Sequence, residues 1–463
     1  MGERSKRGAA FNESVKNLNV RGFMRLLQIL KKAPAIQRIP ENETDEAYRS
    51  YRIQVFIAVY LGYAFFYLIR KNIAVVLPSL MEHLELSKTQ MGIILSLFSA
   101  TYAIAKLFNG PLCDRSNPRY FMALGLGGAA LVNLLFGLSS SIWFFAIFWI
   151  LNGYFQSMGS PIGPKTIANW FSTKERGRFY GVWNTCHNLG AFSILFIGGF
   201  IVEKFGWRYG FYIPASFCIL GALFVAWKML DRPETVGLPP IQEYHGDVPK
   251  DSVKDTDETA YQIFQKYVLK NPRIWVLGVA CMLIYMVRYG LGDWGVTYLN
   301  EVKASSVGWA GLKSSFLELM GIPGTILAGY IADRFFSRRN LVVAVIYLVG
   351  MFVTIAVIYY IPQGFGVLDG VAFGLSGFFI YGAQMVCTGL APLALVPRRA
   401  VASAVGLTGA MSYLGAVITS TFSGWITDAM GWRFTFIFWA GCAIIAIIVL
   451  VPIILRQPPE IEA

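Results

Sequence analysis

Charged residues are scarce in this chain. Only 14% of its 463 residues are Asp, Glu, Lys or Arg, whereas 55% are hydrophobic and the mean hydropathy is +0.52. Soluble globular proteins carry about 25% charged residues, which keep their surfaces hydrated. The shortage of charge therefore excludes an ordinary soluble protein and predicts one that is embedded in a membrane.

Residues that bind metals or form disulfides are also few. The chain has three histidines and six cysteines, and the cysteines lie in or beside apolar runs without paired spacing, at positions 113, 186, 218, 281, 387 and 442. They are expected to be small packing residues, so no disulfide, metal site or cofactor is predicted. A phosphate-binding G-x-x-x-x-G-K-S/T loop is absent, which argues against ATP-driven transport. No catalytic residue and no enzyme activity are expected.

Long apolar runs dominate the sequence instead. A helix needs about 20 apolar residues to cross the hydrocarbon layer of a membrane. Twelve runs are close to this length: 53–79, 89–112, 120–138, 142–163, 178–202, 209–230, 273–297, 312–332, 340–361, 367–393, 400–424 and 434–455. The sequence therefore predicts an all-α membrane protein with twelve transmembrane helices.

The net charge of +13 comes from basic residues that are concentrated in alternate loops. The loops after the second, fourth, eighth and tenth runs contain Arg115, Arg119, Lys174, Arg176, Arg178, Arg334, Arg338, Arg339, Arg398 and Arg399. Cytoplasmic loops of membrane proteins are enriched in Lys and Arg. The charge therefore predicts an orientation in an inner cell membrane with both termini in the cytoplasm, and not binding to a nucleic acid.

Polar segments divide the chain into parts. Residues 1–52 form a basic cytoplasmic N-terminal segment, and no cleavable signal peptide is expected because the first apolar run starts near Ile53. Residues 231–272 form a cytoplasmic linker rich in Pro, Asp and Lys between two six-helix bundles, 53–230 and 273–455. Residues 456–463 form a cytoplasmic tail.

The N-terminal segment contains a short amphipathic pattern. Phe23, Leu26, Leu27 and Leu30 recur at helical spacing beside basic residues. This pattern fits either a helix that lies on the inner leaflet or a loosely ordered basic tail.

The two halves of the chain repeat each other. Gly110-Pro-Leu-Cys-Asp114-Arg115 matches Gly329-Tyr-Ile-Ala-Asp333-Arg334 at an offset of 219, and Gly206-Trp-Arg208 matches Gly431-Trp-Arg433 at an offset of 225. Repeats in the same order and orientation predict two bundles that are related by an axis along the membrane normal.

Two arginines lie deep in apolar runs at equivalent positions of the repeat. Arg70 lies in the first run and Arg288 in the seventh, at an offset of 218. An arginine at mid-bilayer costs roughly 2.5–3.5 kcal/mol, so such a residue is expected to be functional. Guanidinium groups bind phosphate oxygens bidentately and stay charged at physiological pH. We expect both arginines to bind one dianion between the bundles. The alternative is that each pairs with a buried carboxylate, for which Asp293 and Glu318 are available.

Other polar residues share the helix faces of these arginines or lie within the membrane runs. The candidates for substrate binding are Tyr63, Tyr67, Tyr102, Lys106, Trp183, Asn184, His187, Tyr285, Tyr381 and Tyr413. Lys106 is expected to be buried among apolar neighbours. A single tyrosine often only fills a core, and His187 fits either a substrate ligand or an interhelical hydrogen bond.

The quoted residues resemble a known family. Gly62-Tyr-Ala-Phe-Phe-Tyr-Leu-Ile-Arg-Lys-Asn72, Asp114-Arg-Ser-Asn-Pro-Arg119, Trp183-Asn-Thr-Cys-His-Asn188 and Val287-Arg-Tyr-Gly-Leu-Gly-Asp-Trp294 look like the motifs of the organophosphate:phosphate antiporters, within the major facilitator superfamily. The resemblance covers residues 33 to 455. It implies a major facilitator fold and exchange of a small organic phosphate for inorganic phosphate. It also implies that Arg70 and Arg288 bind phosphate, with Tyr67, Lys106, Trp183 and His187 on the substrate path.

The resemblance leaves three members of the family to consider. Gly237-Leu-Pro-Pro-Ile-Gln-Glu-Tyr244 and Gly321-Ile-Pro-Gly-Thr325 look most like glycerol-3-phosphate transporters. Val405 and Thr408 stand where hexose-6-phosphate transporters have Asp and Lys. The alternatives are a hexose-6-phosphate antiporter and a transporter-like membrane sensor of sugar phosphate. The chain departs from the family pattern at Ser160-Pro-Ile-Gly and Tyr381-Gly-Ala383.

The loop motifs are given a separate role. Asp114, Arg115, Asp333 and Arg334 are expected to act as conformational latches between helices and not as ligands. A monomer in the lipid bilayer is expected.

Overall fold

The computed structural model describes residues 30–246, 259–336 and 339–455. Its twelve long helices are α1 Glu41–Leu84, α2 Lys88–Arg115, α3 Pro118–Leu138, α4 Ile142–Ser157, α5 Arg176–Phe205, α6 Tyr209–Lys228, α7 Pro272–Glu301, α8 Val307–Phe335, α9 Asn340–Tyr360, α10 Gly366–Leu395, α11 Val401–Met430 and α12 Trp432–Leu455. The shorter helical pieces are Ile162–Trp170, Pro233–Val236, Ile241–Tyr244, Ala260–Phe264, Gln265–Leu269 and Arg398–Ala400. Over the same ranges, the only β structure is an isolated bridge between Lys31 and Ser116.

Eleven of the helices in the described ranges are long and apolar enough to cross a membrane. The twelfth, α4, has 16 residues and is therefore about 24 Å long. A turn over residues 158–161 follows it, and the helix Ile162–Trp170 then continues the same predicted run. The prediction of an all-α protein with twelve transmembrane helices is confirmed.

Two of the long helices are irregular near their middle. In α5, Thr185 separates the segments Arg176–Asn184 and Cys186–Phe205. In α10, the π-helical turn Met385–Leu390 follows Gln384. Such turns often occur at functional sites, and both irregularities lie close to the polar residues described below.

The sequence repeat is visible at two helix ends. Gly206 ends α5 with φ +91° and Gly431 ends α11 with φ +84°. Residues other than glycine rarely adopt this backbone conformation. This explains why the glycine of the Gly-Trp-Arg motif recurs at an offset of 225.

Two bundles are formed by α1–α6 and α7–α12. The main contacts between them are α1 with α7, α2 with α11, and α5 with α8, and α1 also touches α8. Large apolar side chains on the outside of the bundles are exposed, for example Trp143 at 78% and Val367 at 82%. Such a surface fits hydrocarbon and not water.

The two bundles touch closely on one side of the molecule, which carries the α1–α2, α5–α6, α7–α8 and α11–α12 loops and is here called the opposite side. Four glycines allow this contact because a Cβ at each would lie 2.4–2.6 Å from a carbonyl oxygen of the other bundle. The pairs are Gly92 with Ser420, Gly199 with Val307, Gly311 with Leu195, and Gly424 with Lys88. Polar contacts reinforce the contact: Glu203 accepts from Gly308 N at 2.9 Å, and Thr89 N donates to Asp428 at 2.7 Å.

The bundles are apart on the side of the arginine-rich loops, here called the basic side. Four other glycines lie toward this side on the same helices, and a Cβ at each would have no neighbour within 4 Å: Gly110, Gly181, Gly329 and Gly406. Each lies 18 residues from the glycine of the same helix that is packed on the opposite side. This separation is five helical turns, or about 27 Å. The same faces of α2, α5, α8 and α11 are therefore packed at one end and open at the other.

The linker after α6, residues 231–244, is hydrogen-bonded to the segment before α1, residues 30–40. Ile36 N donates to Glu234 O at 3.0 Å, and Ile39 N donates to Gly237 O at 2.9 Å. Arg38 forms an ion pair with Glu243 at 2.7 Å. The predicted amphipathic pattern at Phe23, Leu26 and Leu27 lies outside the described residues.

Candidate substrate-binding site

The two predicted arginines lie at the interface between the bundles, on the helices that face each other there. Arg70 of α1 is 4% exposed and Arg288 of α7 is 9% exposed. Neither guanidinium forms an ion pair with a carboxylate in the part of the chain that the structure describes. The predicted pair is therefore buried and without a counter-ion.

Arg70 is held by aromatic side chains and one hydrogen bond. Its guanidinium carbon lies 5.1, 5.1 and 4.4 Å from the ring centres of Tyr67, Phe98 and Tyr102. Its Nη2 donates to the hydroxyl of Tyr289 at 2.9 Å, and Tyr289 belongs to the other bundle. This environment stabilises a cation through ring quadrupoles and leaves further N–H donors for a ligand.

Arg288 has a similar environment in the second bundle. Nη1 donates to Gln384 Oε1 at 2.9 Å and Nη2 donates to Tyr381 OH at 3.0 Å. The guanidinium carbon lies 4.4 Å from the ring centre of Tyr381 and 5.4 Å from that of Tyr285. All of these partners are neutral, so a bound anion would not compete with a protein carboxylate.

The two buried carboxylates have other partners. Asp293 Oδ1 accepts from Lys71 Nζ at 2.8 Å, which makes an ion pair between α7 and α1. Glu318 of α8 accepts from the Tyr381 hydroxyl and from Asn188 Nδ2, the latter at 3.4 Å. The alternative that each arginine pairs with one of these carboxylates is therefore not what the structure has.

The aromatic candidates from the first bundle form one continuous wall. Tyr63 stacks on Trp183 with ring centres 5.1 Å apart, and Tyr67 lies 5.6 Å from Tyr63 and 5.3 Å from His187. The indole Nε1 of Trp183 and the imidazole Nε2 of His187 are buried and have no hydrogen-bond partner among the described atoms. Two polar atoms on this wall are therefore available to a ligand.

His187 and Asn184 lie one turn apart in α5. The Asn184 side chain is half-buried, whereas His187 is buried and its Nε2 has no partner among the described atoms. His187 also approaches the second bundle, because its ring centre lies 6.1 Å from that of Tyr381.

Tyr413 of α11 connects the tyrosines of the two bundles. Its ring centre lies 5.0 Å from Tyr102, 5.9 Å from Tyr285 and 6.4 Å from Tyr289. The structure thus brings the ten predicted residues other than Lys106 and Asn184 into one connected group with mostly aromatic walls.

Lys106 differs from the prediction in its burial. Its neighbours Leu107 and Phe108 are 72% and 70% exposed, and Lys106 itself is exposed. The reason is that this turn of α2 lies where the bundles are apart, so apolar sequence neighbours do not cover it. Its Nζ lies 5.9 Å from the ring centre of Tyr413 across the gap, and it remains a candidate as an uncompensated cation beside the site.

The predicted latch residues lie at the basic side, away from the arginines. Asp114 and Arg115 end α2, and Asp333 and Arg334 lie at the end of α8. Within the described ranges, neither aspartate forms an ion pair. Lys165 Nζ instead donates to the carbonyls of Cys113 and Ser116, both at 2.6 Å, at the end of α2.

Sequence reasoning missed several polar residues of the site. They are Lys71, Asn188, Tyr289 and Gln384, together with the roles of Asp293 and Glu318. A signal was present for Tyr289, because Lys71 and Tyr289 are equivalent at the offset of 218 that relates Arg70 to Arg288. For Gln384 and Asn188, the signal was a carboxamide inside an apolar run.

The fold and this interface define a two-bundle secondary transporter. Residues 59–392 match the model of the Major Facilitator Superfamily. The chain is 38% identical to the glycerol-3-phosphate transporter of Bacillus subtilis (strain 168), over 92% of this chain and 97% of that protein. It is 33% identical to the membrane sensor protein UhpC of Escherichia coli (strain K12), over 93% and 98%. The chain belongs to the Major Facilitator Superfamily and, within it, to the organophosphate:phosphate antiporter family.

A solved structure supports the fold independently of sequence similarity. A bacterial homologue of the human lysosomal transporter Spinster, in an inward-facing and occupied conformation, superimposes with a TM-score of 0.71 at 17% identity, covering 89% of this chain and 97% of that one. At this level of identity the likeness concerns the fold alone.

Proposed function

We propose that this protein exchanges glycerol-3-phosphate for inorganic phosphate across the cell membrane by alternating access. One observation carries the proposal: Arg70 and Arg288 are buried at the bundle interface without a carboxylate partner. An uncompensated charge in a membrane protein is costly unless a ligand or function uses it. The match to a glycerol-3-phosphate transporter over most of both chains supports this choice of organic phosphate.

The charges of the site fit a dianion. Arg70, Arg288 and Lys106 supply three positive charges, and an ionised Glu318 supplies one negative charge, while Lys71 and Asp293 neutralise each other. Two positive charges remain, which a phosphate dianion would balance. Trp183 Nε1 and His187 Nε2 are further groups with free hydrogen-bonding capacity for phosphate or glycerol oxygens.

The same charges explain an obligatory exchange. In the empty protein, Arg70 and Arg288 would have to approach each other without an anion as the bundles close around the site. Like charges repel strongly in a medium of low dielectric constant. A carrier loaded with phosphate or with its ester avoids this repulsion, so the site crosses the membrane in the loaded form.

The glycine pattern supplies a route for alternating access. On the opposite side, Gly92 and Gly424 allow close packing of α2 against α11, and Gly199 and Gly311 allow close packing of α5 against α8. Gly92 and Gly311 are repeat equivalents at an offset of 219, and Gly199 and Gly424 at 225. The contacts on this side therefore obey the internal symmetry of the fold.

The basic side carries a second symmetric set of glycines, which have no close neighbour in this structure. Gly110 and Gly329 are equivalent at 219, and Gly181 and Gly406 at 225. In the proposed outward-open state, the bundles rock so that these four glycines pack where they are now free, and the first four separate. Asp114 and Asp333 lie one turn beyond Gly110 and Gly329. This position suits latch residues that form their contacts only when the basic side closes.

The orientation proposed from the loop charges places the basic side in the cytoplasm. With this orientation, both termini are cytoplasmic and the structure represents an inward-open state. The site would then receive inorganic phosphate from the cytoplasm and release it outside in exchange for the ester.

The test is transport into proteoliposomes that are preloaded with inorganic phosphate, with labelled glycerol-3-phosphate or glucose-6-phosphate added outside. We expect uptake of glycerol-3-phosphate that requires internal phosphate and is lost in Arg70→Lys and in Arg288→Lys. The matched control is Arg178→Lys on the exposed basic side, which should transport normally. Loss in all three variants would remove the special role of the two buried arginines.

Two other results would replace the proposal. Preferential uptake of glucose-6-phosphate would identify a hexose-6-phosphate antiporter. Measurable binding of an ester without any uptake would identify a membrane sensor, which the similarity to UhpC makes the second candidate.

A further inference from the structure

A large groove lies on the outside of the second bundle, separate from the site between the bundles. It runs between α8 and α10 and has a volume of about 810 Å³. Its mouth is at the opposite side, where the α7–α8 and α9–α10 loops contribute Lys303, Ser305 and Gly364. From there the groove extends along the two helices into the apolar zone.

The interior of the groove is apolar, and three glycines of α10 leave room for the side chains of α8 that line it. Gly366, Gly370 and Gly374 of α10 follow one another at one-turn spacing and span about 12 Å along the helix. Exposed walls are formed by Val367 at 82% and Trp309 at 57%. A Cβ at Gly370 would lie 3.6 Å from Phe316, so this glycine is in contact with α8, and Phe316 forms part of the groove lining. A flexible hydrocarbon chain fits such a shape.

The mouth of the groove is basic. Lys303 Nζ donates to Ile361 O, and Lys313 Nζ donates to Ser305 Oγ at 2.7 Å and to Asp369 Oδ2 at 3.3 Å. An ammonium has three donors, so the described contacts leave two on Lys303 and one on Lys313. The two lysines and Asp369 carry a net charge of one positive unit, which an anion would balance.

Lys303 itself is in an environment that an anion would improve. Its side chain is buried in the loop after α7, and this burial lowers the pKa of its ammonium. A phosphate group at the mouth would favour the charged form.

We propose that this groove binds an anionic phospholipid, with one acyl chain between the apolar side chains of α8 and α10 and the headgroup phosphate at Lys303 and Lys313. The membrane supplies a molecule that combines both parts, because anionic headgroups lie at the depth of the helix ends and acyl chains extend from them inward. A basic mouth at the end of an apolar groove matches this arrangement and does not match a second apolar helix, which would bury both ammonium groups. With the proposed orientation, the lipid belongs to the outer leaflet.

The test is native mass spectrometry of the purified full-length protein, titrated with phosphatidylglycerol and with phosphatidylcholine of identical chains. We expect the wild type to bind phosphatidylglycerol more tightly. Lys303→Gln should weaken phosphatidylglycerol binding about tenfold, the effect of one lost charge-assisted hydrogen bond, and weaken phosphatidylcholine binding less, because choline already offsets the charge of that phosphate. Gly370→Leu should weaken the binding of both lipids because its side chain, added against Phe316, takes up volume in the groove.

Two variants outside the groove are the controls. Lys204→Gln removes an exposed lysine on the same side, and Gly441→Leu adds a side chain where α12 has open space. Both should bind lipid like the wild type. Equal binding of the two lipids by the wild type, or unchanged lipid binding in Gly370→Leu, would overturn the proposal. So would a dimer that carries no lipid and is lost in Gly370→Leu, because the groove would then belong to a second copy.

Discussion

Lys71 Nζ of α1 lies 2.8 Å from Asp293 Oδ1 of α7, and this ion pair joins the two bundles beside the arginines. Both side chains are 9% exposed. Asp293 also accepts from Ser420 Oγ of α11 at 3.5 Å. The pair therefore stabilises the closed arrangement of α1, α7 and α11.

Asp293→Asn should shift the protein toward a state that is open on the opposite side. The substitution leaves the Lys71 ammonium buried without a counter-ion in the closed state, and breaking a buried pair costs about 3–5 kcal/mol. Spin labels at Phe205→Cys and Tyr360→Cys, both exposed near this side, would report a longer distance between the bundles.

The control for this change is Glu301→Gln. Glu301 pairs with Lys88 across the same side at 3.1 Å, but both side chains are partly exposed. Such a pair contributes about 0–1 kcal/mol, so the label distance should barely change. An equal shift in both variants would mean that burial of the Lys71–Asp293 pair has no special effect.

Tyr289→Phe should weaken the binding of inorganic phosphate roughly 2- to 10-fold, because Arg70 loses the one hydrogen bond that fixes its geometry from the other bundle. Isothermal titration with phosphate measures the change. Tyr347→Phe is the matched control, since the buried Tyr347 hydroxyl has no partner among the described atoms. Tighter binding in Tyr289→Phe would instead show that the phenol competes with phosphate for Arg70.

Gly406→Leu should abolish exchange while phosphate binding from the basic side is retained. The new side chain has open space in the present state but would obstruct α11 when the basic side closes. Transport and phosphate binding are measured on the same preparation. Gly441→Leu, which also has open space but lies on α12, should transport normally; a transport-competent Gly406→Leu protein would contradict the proposed closure.

Gly92→Ala should have the opposite effect on conformation. Its Cβ would lie 2.5 Å from the Ser420 carbonyl oxygen, which is a contact between backbones and cannot relax by rotamer change. The closed contact between α2 and α11 should therefore open, and a cysteine reagent added from that side should modify the Ser96→Cys background faster. No increase in the rate of modification would argue against the glycine contact as the determinant of closure.

Stability should depend on pH through Glu175 on the basic side. Burial opposes its ionisation, but hydrogen bonds from Arg52 and Ser172 hold its pKa below the usual value. A lowered pKa stabilises the folded protein above the pKa of the unfolded chain, and this contribution is lost as the pH falls through the folded pKa. Glu175→Gln should therefore lower the melting temperature at pH 7 and have little effect at the acidic end of the range. A pH-independent difference would exclude this ionisation as the cause.

Much of the architecture could be predicted from the residues. The apolar runs gave eleven spans that are single helices or nearly so, and the Gly-Trp-Arg repeat correctly indicated matching helix ends at Gly206 and Gly431. The break after α4 was not predicted, because run length and hydropathy do not register a turn inside an apolar segment. Pro161 and Gly163 were the available signals.

The site could be predicted only in part, for a physical reason. Arg70 and Arg288 were found because a charge inside an apolar run is conspicuous. Lys71 directly follows Arg70 in the first motif and was given no role of its own. Its partner Asp293 is 222 residues away, so the pair exists only in three dimensions. The prediction that Lys106 is buried was wrong, because neighbours in sequence do not show which face of α2 meets the gap between the bundles.

The five-turn spacing of the glycines makes α2 sensitive to the phase of its own helix. Gly92 and Gly110 face the same way only because 18 residues complete a whole number of turns. One inserted residue between them would rotate one end by about 100° relative to the other. Either end could then pack against α11, but not both in succession. The stretch of α2 between the two glycines is thus under a strict constraint on its length. Insertions there should be tolerated far less well than substitutions.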